Sequence, residues 1–380
     1  MPDQLDKNKK HENSPGRKRI ISPMKWLKGI SVAVVLGLAV FGASRLLPET
    51  EEVVDVYYPT SFETTPYGVI GFPSFNAKRG RDFMDGGVNA VQQMTGGTLV
   101  LPDNASAENP VPVVVILHGS GGDWTGRSVN TAMYLASNGI AGLAVDTFTA
   151  RNLRSTDDYL ERLEKAPIYT QMADALSALQ ALQNHPAIDK DKIGVTGFSL
   201  GAGSTLYMMF EPVIENVLGK DGPRFSAYAM FYGGCMVEFD DFRVEGSPLL
   251  IMMGGEDESM SIPGCQKFQK RLQKMGVSVD LKVYDTAGHG WDVPYPQAFQ
   301  EGEWVTRDCV MKWTKNGGNK EMTSGYSMDS TYGAFMALAQ CAHNDGYTMG
   351  YNADAAKRSL EDLLQFLRKT WGIDGTSEIK

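Results

Sequence analysis

The chain has 380 residues, 42% of them hydrophobic, which is enough for one large domain with additions. Its formal net charge is −9. Residues 1–28 carry eight basic and three acidic side chains, so the rest of the chain carries 28 basic against 42 acidic ones, a net charge of −14. This acidic balance excludes nucleic acid as the expected partner.

The N-terminal sequence predicts a targeting segment. Residues 1–28 are expected to be a basic cytoplasmic tail, and residues 29–47 a transmembrane anchor or signal segment. The uncharged stretch 29–44 reaches the length of a spanning helix, about 20 residues, when its flanks are included. Because a positive flank stays in the cytoplasm, we expect a membrane-anchored protein whose main domain is exported, periplasmic or extracellular. A secreted protein with a cleaved signal is the alternative.

Residues 48–96 are predicted to be an N-terminal extension, with a strand near 53–58 and a short helix within 86–95. From residue 97 to 380, strands and helices alternate, which predicts an α/β fold with a mostly parallel sheet covered by helices on both faces. The predicted strands lie near 97–101, 113–117, 140–145, 192–196, 226–231, 248–253 and 279–284, and the predicted helices near 127–138, 168–184, 200–210, 263–275 and 353–370.

A glycine-rich turn, His118-Gly119-Ser120-Gly121-Gly122, follows the predicted strand 113–117. Such a turn can aim a backbone N–H at a developing oxyanion, opposite the N–H of the residue after a nucleophile. We therefore predict Ser120 and Leu200 as oxyanion donors, with His118 holding the turn. A glycine-rich loop can also bind phosphate, but the usual phosphate-binding glycine patterns do not follow this strand.

The sequence Gly197-Phe198-Ser199-Leu200-Gly201 lies between a predicted buried strand and a predicted helix. G-x-S-x-G in this context is typical of a nucleophile elbow, which presents the serine hydroxyl on a sharp turn. The flanking glycines avoid a clash where strand and helix approach closely. Ser199 is therefore the candidate nucleophile.

A nucleophilic serine needs a base and an acid that orients it, and in this fold they follow the serine in the order acid, then histidine. Asp257 follows the apolar run 248–253 and is the favoured acid, while Glu256, Glu258, Asp285 and Asp292 are alternatives. His289 lies in a glycine-flanked loop after the predicted strand 279–284 and is the candidate base. The other histidines lack this context.

An insertion is predicted at residues 294–350, either as a lid over the site or as a surface excursion. Four cysteines allow three pairings in an oxidising compartment, of which we favour Cys235–Cys265 and Cys309–Cys341. Four free thiols in a cytosolic protein are the alternative. The cysteine spacings do not resemble a zinc site. Trp124, Trp291 and Tyr232 are candidate pocket walls because they adjoin the motifs.

Taken together, these segments resemble the dienelactone hydrolase family of the α/β-hydrolase superfamily. The resemblance runs from about residue 97 to the end, through 97–102, His118-Gly119, 197–201, 254–257 and 287–291, and the closing segment 351–356 before a helix is also similar. Dienelactone hydrolases proper carry a cysteine where this chain has Ser199, which points to a general serine esterase of the family. The resemblance implies an acyl-enzyme mechanism without a metal or organic cofactor.

The expected function is therefore hydrolysis of a small-molecule carboxylic ester by Ser199, Asp257 and His289. A serine peptidase or an acyltransferase on the same fold is an alternative, because both share the acyl-enzyme step. A non-catalytic binding protein is a further alternative, although such a protein is expected to lack at least one of these elements.

Overall fold

The structure is a computed structural model that describes residues 68–87, 90–122 and 124–373. The strands in these residues are β1 (Gly68–Asn76), β2 (Val91–Val100), β3 (Val111–Leu117), β4 (Ala141–Asp146), β5 (Ile188–Phe198), β6 (Ala227–Phe231), β7 (Val237–Phe239), β8 (Leu249–Gly254), β9 (Val279–Tyr284), β10 (Ala298–Gln300), β11 (Met311–Trp313), β12 (Asn319–Glu321) and β13 (Tyr347–Met349). The α-helices are α1 (Val129–Ala136), α2 (Tyr159–Lys165), α3 (Ile168–Leu182), α4 (Leu200–Tyr207), α5 (Glu211–Leu218), α6 (Ile262–Lys274), α7 (Thr331–Cys341) and α8 (Ala353–Trp371).

The described residues form one large sheet with the strand order β1-β2-β4-β3-β5-β6-β8-β9. β2 is antiparallel to β1 and to β4, and every other neighbouring pair is parallel. The carboxyl ends of β3, β5, β6, β8 and β9 therefore meet at one edge of the sheet, where α/β proteins place their functional loops. This arrangement confirms the predicted α/β fold with a mostly parallel sheet.

Helices cover both faces of the sheet because the central strands are apolar on both sides. In β3, Val113, Val115 and Leu117 pack into a core cluster shared with α3, while Val114 and Ile116 pack into a second cluster shared with α1 and α8. Successive side chains of a strand point to opposite faces, so a continuous apolar run needs cover on each face. The continuous apolar runs in the sequence therefore predict that the sheet is covered on both faces.

The predicted short helix within residues 86–95 is wrong. The structure has a 3-10 helix at Gly80–Gly87, and the chain from Val91 belongs to β2. β2 pairs with β1 along its length, from Asn76 opposite Val91 to Gly68 opposite Leu99, and this pairing overrides a weak local helix preference. The sheet therefore begins before residue 97. The predicted strand 53–58 lies outside the described residues.

The predicted insertion 294–350 is attached to the rest of the fold at two places. β11 pairs in parallel with β7, and Trp313 is 2% exposed, with its ring about 6 Å from those of Tyr169, Tyr207 and Phe239. Further along the chain, β13 pairs with β10 and continues beside the loop that carries His289. One part of the insertion is thus packed into the core, and another lies against a site loop.

All four cysteines form disulfides, and the pairs are the favoured ones, Cys235–Cys265 and Cys309–Cys341. None of the helices described between residues 68 and 373 is long and apolar enough to cross a bilayer. The predicted tail 1–28 and the predicted anchor or signal segment 29–47 lie outside the described residues.

Candidate active site

Ser199 stands at the turn between β5 and α4, with a backbone φ of 51° and ψ of −108°. A non-glycine residue at positive φ is uncommon and is strained. Strand and helix approach closely here: a Cβ on Gly197 would lie 2.1 Å from the carbonyl oxygen of Gly201, and a Cβ on Gly201 would lie 2.5 Å from that of Leu117. The two glycines are therefore sterically required, and the turn leaves Ser199 partly exposed.

His289 and Asp257 continue a chain of hydrogen bonds that begins at Ser199. The Ser199 hydroxyl lies 2.9 Å from Nε2 of His289, and Nδ1 of His289 lies 2.8 Å from Oδ2 of Asp257. The side chain of Asp257 is 1% exposed and that of His289 is 10% exposed. Since the carboxylate accepts the Nδ1–H, Nε2 faces the serine as a proton acceptor. The three predicted side chains are thus brought together.

Ser259, which sequence reasoning missed, gives Asp257 two further hydrogen bonds. Its hydroxyl donates to Oδ1 at 2.5 Å, and its backbone N–H donates to the same oxygen at 3.0 Å. The hydroxyl also lies 3.3 Å from Nδ1 of His289. An aspartate side chain that accepts a hydrogen bond from the backbone N–H two residues later forms a common local turn. The sequence Asp257-Glu258-Ser259 is therefore a signal from which this contact could have been predicted. Ser259 holds the carboxylate in one orientation.

The other carboxylates considered as the acid lie in different surroundings. Glu256 accepts a hydrogen bond from a glutamine side chain at 3.2 Å, Asp285 is exposed, and Asp292 pairs with an arginine. Glu258 accepts the backbone N–H of Thr348 at 2.7 Å, so it differs from the solvated loop carboxylate that its position suggests. Asp257 alone among these five hydrogen-bonds to His289 within the described residues.

The end of the insertion holds the histidine loop in place. The backbone N–H of His289 donates to the carbonyl of Thr348 at 2.8 Å, and the N–H of Gly350 donates to the carbonyl of His289 at 3.0 Å. The approach is close, because a Cβ on Gly288 would lie 2.4 Å from the Thr348 carbonyl oxygen. Since Glu258 binds the N–H of the same threonine, β13 connects the acid loop to the histidine loop.

A second polar cluster packs behind the histidine. Arg127 donates to the hydroxyl of Tyr232 at 2.6 Å and lies 3.2 Å from Oδ1 of Asp292, and the same tyrosine hydroxyl donates to Asp292 at 2.6 Å. The Tyr232 ring meets the His289 ring edge to face at 4.9 Å. Burial raises the pKa of Tyr232 well above its usual value, so its hydroxyl stays protonated and can donate. The cluster supports one side of the imidazole.

The glycine-rich turn lies beside the nucleophile. A Cβ on Gly119 would lie 3.6 Å from the Cβ of Ser199. Within the described part of the chain, the backbone N–H groups of Ser120 and Leu200 have no hydrogen-bond partner, and Leu200 begins α4, where the first N–H groups lack helical partners. His118 is fully buried, with Nδ1 2.7 Å from the Gly119 carbonyl oxygen, so it holds the turn.

Two of the candidate pocket walls have other roles. Trp291 is fully buried, and its indole N–H donates to Ser359 at 3.0 Å, which makes it a core residue. Tyr232 is 1% exposed and packs on the histidine. The side chain of Trp124 lies outside the described part of the molecule. No group of three or more metal-ligating side chains is found among the described residues.

Comparisons with known proteins agree with this architecture. A sequence model of the dienelactone hydrolase family matches residues 96–371. A curated relative from Bradyrhizobium, a probable 2-oxo-3-(5-oxofuran-2-ylidene)propanoate lactonase, is 22% identical over 207 residues, which cover 48% of this chain and 77% of the relative.

Two solved structures illustrate the structural likeness. A dienelactone hydrolase-like promiscuous phosphotriesterase from metagenomic libraries has a TM-score of 0.50 and 15% identity, covering 80% of this chain and 99% of that one. Esterase 2 of Thermogutta terrifontis has a TM-score of 0.42 and 16% identity, covering 62% and 88% of the two chains. The family match extends over most of the sheet and over every motif of the site. The chain therefore belongs to the dienelactone hydrolase family and is a hydrolase.

Proposed function

We propose that the protein cleaves carboxylic esters of small molecules through an acyl-enzyme formed on Ser199. The observation that carries this proposal is the hydrogen-bond chain from Ser199 through His289 to Asp257, which starts on a strained turn at the carboxyl edge of the sheet. Membership of a hydrolase family supports the reaction class. The specific role of each residue follows from its chemistry and its contacts.

In the first step, Nε2 of His289 takes the proton of the Ser199 hydroxyl as the oxygen attacks the ester carbonyl. Asp257 holds the tautomer in which Nδ1 carries hydrogen, and its charge stabilises the imidazolium that forms. The N–H groups of Ser120 and Leu200 donate to the oxyanion of the tetrahedral intermediate, and one such donor contributes roughly a hundred- to thousandfold to the rate.

In the second step, the imidazolium gives its proton to the leaving alcohol, and the acyl group stays on Ser199. Water then attacks the acyl-enzyme, with His289 again acting as the base, and the acid is released. The chain and water suffice for these steps, because the serine supplies the first nucleophile, water supplies the second, and the histidine carries the proton in both halves.

A lactone is a cyclic ester, and the same steps would open it. The curated relative named as a lactonase makes lactones a reasonable second set of substrates to test beside open-chain esters. In a lactone the leaving alcohol remains attached to the acyl group, so the acyl-enzyme carries its own alcohol until water releases it. Comparing the two substrate sets shows which form the site prefers.

We also propose that the protein is anchored in a membrane by residues 29–47 with its main domain exported, periplasmic or extracellular; secretion after cleavage is the alternative. The support is the basic tail before an apolar segment and the pairing of all four cysteines as disulfides, which persist in oxidising compartments. Sedimentation of the full chain with membranes, and its release only by detergent, is the expected result. Recovery of a shortened soluble protein outside the cell would favour cleavage.

The catalytic proposal is tested with p-nitrophenyl acetate and the full chain, comparing the wild type with Ser199→Ala. A fluorophosphonate probe with mapping of the labelled peptide identifies the nucleophile directly. Ser137→Ala is the matched control, because Ser137 is an exposed serine at the end of α1 and belongs to none of the motifs. We expect turnover and labelling at Ser199, both lost in Ser199→Ala and both retained in Ser137→Ala.

Other outcomes would point elsewhere. A folded wild type that neither turns over nor labels would contradict the proposal and favour a binding protein. Labelling of Ser199 with peptide cleavage in preference to ester cleavage would favour a peptidase. Transfer of the acyl group to an added alcohol in preference to water would favour an acyltransferase.

A further inference from the structure

Tyr232 has a strained backbone at a position next to the site. It follows β6 directly and has a backbone φ of 41°, in the left-handed region. In the described part of the chain, the non-glycine residues with positive φ are Asn152, Ser199 and Tyr232. A bulky residue keeps this conformation only where its surroundings enforce it, and such residues cluster at functional sites. The strain at Tyr232 therefore matches that at the nucleophile and indicates a functional demand on its side chain.

The backbone around Tyr232 is hydrogen-bonded to both neighbouring parts of the site. The carbonyl of Phe231 accepts the N–H of Ser199 at 3.0 Å, and the N–H of Tyr232 donates to the carbonyl of Met252 at 2.8 Å. Met252 lies in β8, the strand that leads to Asp257. The ring of Tyr232 therefore starts from a backbone position that is fixed to the nucleophile elbow and to the acid strand.

The ring of Tyr232 packs against the imidazole. Tyr232 is 1% exposed, and its ring centroid lies 4.9 Å from that of His289, edge to face. The ring of Trp291 packs on Tyr232 at 4.7 Å, and the ring of Phe198 lies 6.1 Å away. Because a closely packed interior leaves an enclosed ring little room to move, Tyr232 limits the rotation of the imidazole on this side.

The hydroxyl of Tyr232 is held by two charged groups. It accepts from Nη1 of Arg127 at 2.6 Å and donates to Oδ1 of Asp292 at 2.6 Å, and the two charged side chains form an ion pair at 3.2 Å. Their side chains are 10% and 18% exposed, and hydrogen bonds to charged groups are stronger than those between neutral ones. The three side chains Arg127, Tyr232 and Asp292 form a closed triangle, which we call the tyrosine clamp.

The tyrosine clamp joins the loops of the site. Asp292 lies three residues after His289 and so belongs to the histidine loop. The guanidinium carbon of Arg127 lies 4.9 Å from the ring centroid of Phe198, the residue before the nucleophile. A Cβ on Gly119 would lie 3.6 Å from the Cβ of the nucleophile and 3.7 Å from Nη2 of Arg127, so the guanidinium also borders the oxyanion turn. One cluster thus connects the nucleophile, the oxyanion turn and the base.

The charge of the tyrosine clamp is balanced. Arg127 contributes a positive charge and Asp292 a negative one, while burial raises the pKa of Tyr232 well above its usual value and keeps its hydroxyl neutral. The other groups that face the imidazole are one carboxylate and three hydroxyl-bearing side chains, namely Asp257, Ser199, Ser259 and Tyr347. Burial also raises the pKa of Tyr347, which stays neutral. The clamp therefore adds no net charge to that of the Asp257 carboxylate.

We infer that the tyrosine clamp positions His289 for catalysis, with Tyr232 as the central positioning residue. The clamp holds the imidazole between Asp257 and Ser199. Because its charges cancel, the imidazolium that forms is stabilised by Asp257 and is not opposed by Arg127. The inference rests on the proposed function and deepens it, since the clamp acts on the reaction through the histidine.

The test compares Tyr232→Phe with Tyr228→Phe in the full chain, using p-nitrophenyl acetate. Tyr232→Phe keeps the ring and removes the hydroxyl that joins Arg127 to Asp292. Tyr228 is the matched control, because it is a fully buried tyrosine of β6 whose hydroxyl donates to the carbonyl of Met208 at 2.9 Å.

We expect kcat to fall about tenfold in Tyr232→Phe while KM stays within about twofold, because the histidine is misplaced and the substrate contacts are kept. In Tyr228→Phe both constants should stay within about twofold of the wild type. Thermal unfolding is measured for both variants, so that a loss of stability common to the two is separated from the loss of kcat.

Asp292→Asn tests the balance of charge. It leaves the positive charge of Arg127 uncompensated behind the tyrosine ring, which disfavours the imidazolium. The acid limb of kcat/KM against pH should therefore move to lower pH by about 0.5 pH unit or more. Arg127→Gln combined with Asp292→Asn removes both charges, and the limb should return to its wild-type position. A purely structural role would lower activity in both variants without moving the limb.

The outcomes separate this inference from the proposed function. Hydrolysis that depends on Ser199, with a kcat for Tyr232→Phe within about twofold of the wild type, would overturn the inference and leave the esterase in place. Equal losses of kcat in Tyr232→Phe and Tyr228→Phe, or an acid limb that Asp292→Asn does not move, would overturn it as well. A wild type that hydrolyses neither p-nitrophenyl acetate nor any other ester would refute the proposed function, and the inference with it.

Discussion

The carboxylate of Glu258 connects the two loops that carry the acid and the base, and its removal should slow catalysis without weakening substrate binding. It accepts the N–H of Thr348 at 2.7 Å, and the carbonyl of Thr348 accepts the N–H of His289 at 2.8 Å. In Glu258→Ala the threonine N–H loses its charged acceptor. The strand β13, which accepts the backbone N–H of His289, then has one hydrogen bond fewer to the acid loop.

The size of the effect follows from the contact. A hydrogen bond to a charged group contributes about 1.5–3 kcal/mol, and Thr348 is half-buried, so water replaces part of the loss and about 1–2 kcal/mol remains. If the loss of this energy raises the activation free energy by misplacing the imidazole, kcat falls about five- to thirtyfold. KM for a small ester should stay within about twofold, because Glu258 does not contact the space around Ser199 through any described hydrogen bond.

The assay is steady-state hydrolysis of p-nitrophenyl acetate, with thermal unfolding measured in parallel. Glu258→Gln keeps an acceptor for the N–H and should recover most of kcat. Glu256→Ala is the control, since Glu256 is an exposed neighbour whose carboxylate accepts a hydrogen bond from a glutamine side chain at 3.2 Å and from no backbone N–H of the described residues. A kcat for Glu258→Ala that stays within twofold of the wild type would refute the reasoning, whatever happens to the melting temperature.

Three further predictions concern the acid, the buried carboxylate of Asp174 and the half-buried carboxylate of Glu245. Ser259→Ala removes the 2.5 Å donor to Asp257, and kcat/KM for p-nitrophenyl acetate should fall about tenfold; an unchanged value would show that the backbone N–H suffices. Asp174→Ala leaves Arg151, 3% exposed, without the carboxylate that pairs with it at 2.9 Å, and denaturant unfolding should show a loss of about 3–5 kcal/mol. Burial raises the pKa of Glu245 to about 7 from 4.5, so the folded state keeps a proton that the unfolded chain releases. The free energy of unfolding should therefore fall as the pH rises from about 4.5 to about 7, by about 1–3 kcal/mol. Glu245→Gln should remove this fall, which is measured as the melting temperature against pH. Parallel pH curves for the variant and the wild type would contradict the prediction.

Much of the candidate site could be predicted from the sequence because its parts are local. The elbow requires Gly197 and Gly201, because a Cβ at either position would clash with the backbone. The spacing of these two glycines around Ser199 is visible in the sequence. Buried strands appear as apolar runs, and the loops that follow them collect at one edge of the sheet. For this reason Ser199, Asp257 and His289 could be named, and the structure places them in contact.

The disulfides show the limit of this reasoning. Four cysteines can form two disulfides in three alternative ways. The sequence favours one of the three only through the expected positions of the loops. Which cysteines approach each other depends on how the strands are ordered in the sheet, and the structure pairs Cys235 with Cys265 and Cys309 with Cys341. The predicted helix within residues 86–95 shows the opposite result, since the chain from Val91 pairs with β1 and belongs to β2.

The sequence by itself indicated the core strands from residue 97 onward, the elbow, and the three side chains that the structure brings into one hydrogen-bond chain. It could do so because hydrophobic periodicity and the steric need for glycine are properties of neighbouring residues. The surroundings of His289 were decided only by the tertiary structure. Tyr232 packs on its ring, Thr348 accepts its backbone N–H, and Arg127 hydrogen-bonds to Tyr232; these residues are far apart in the sequence, and long-range packing brings them together.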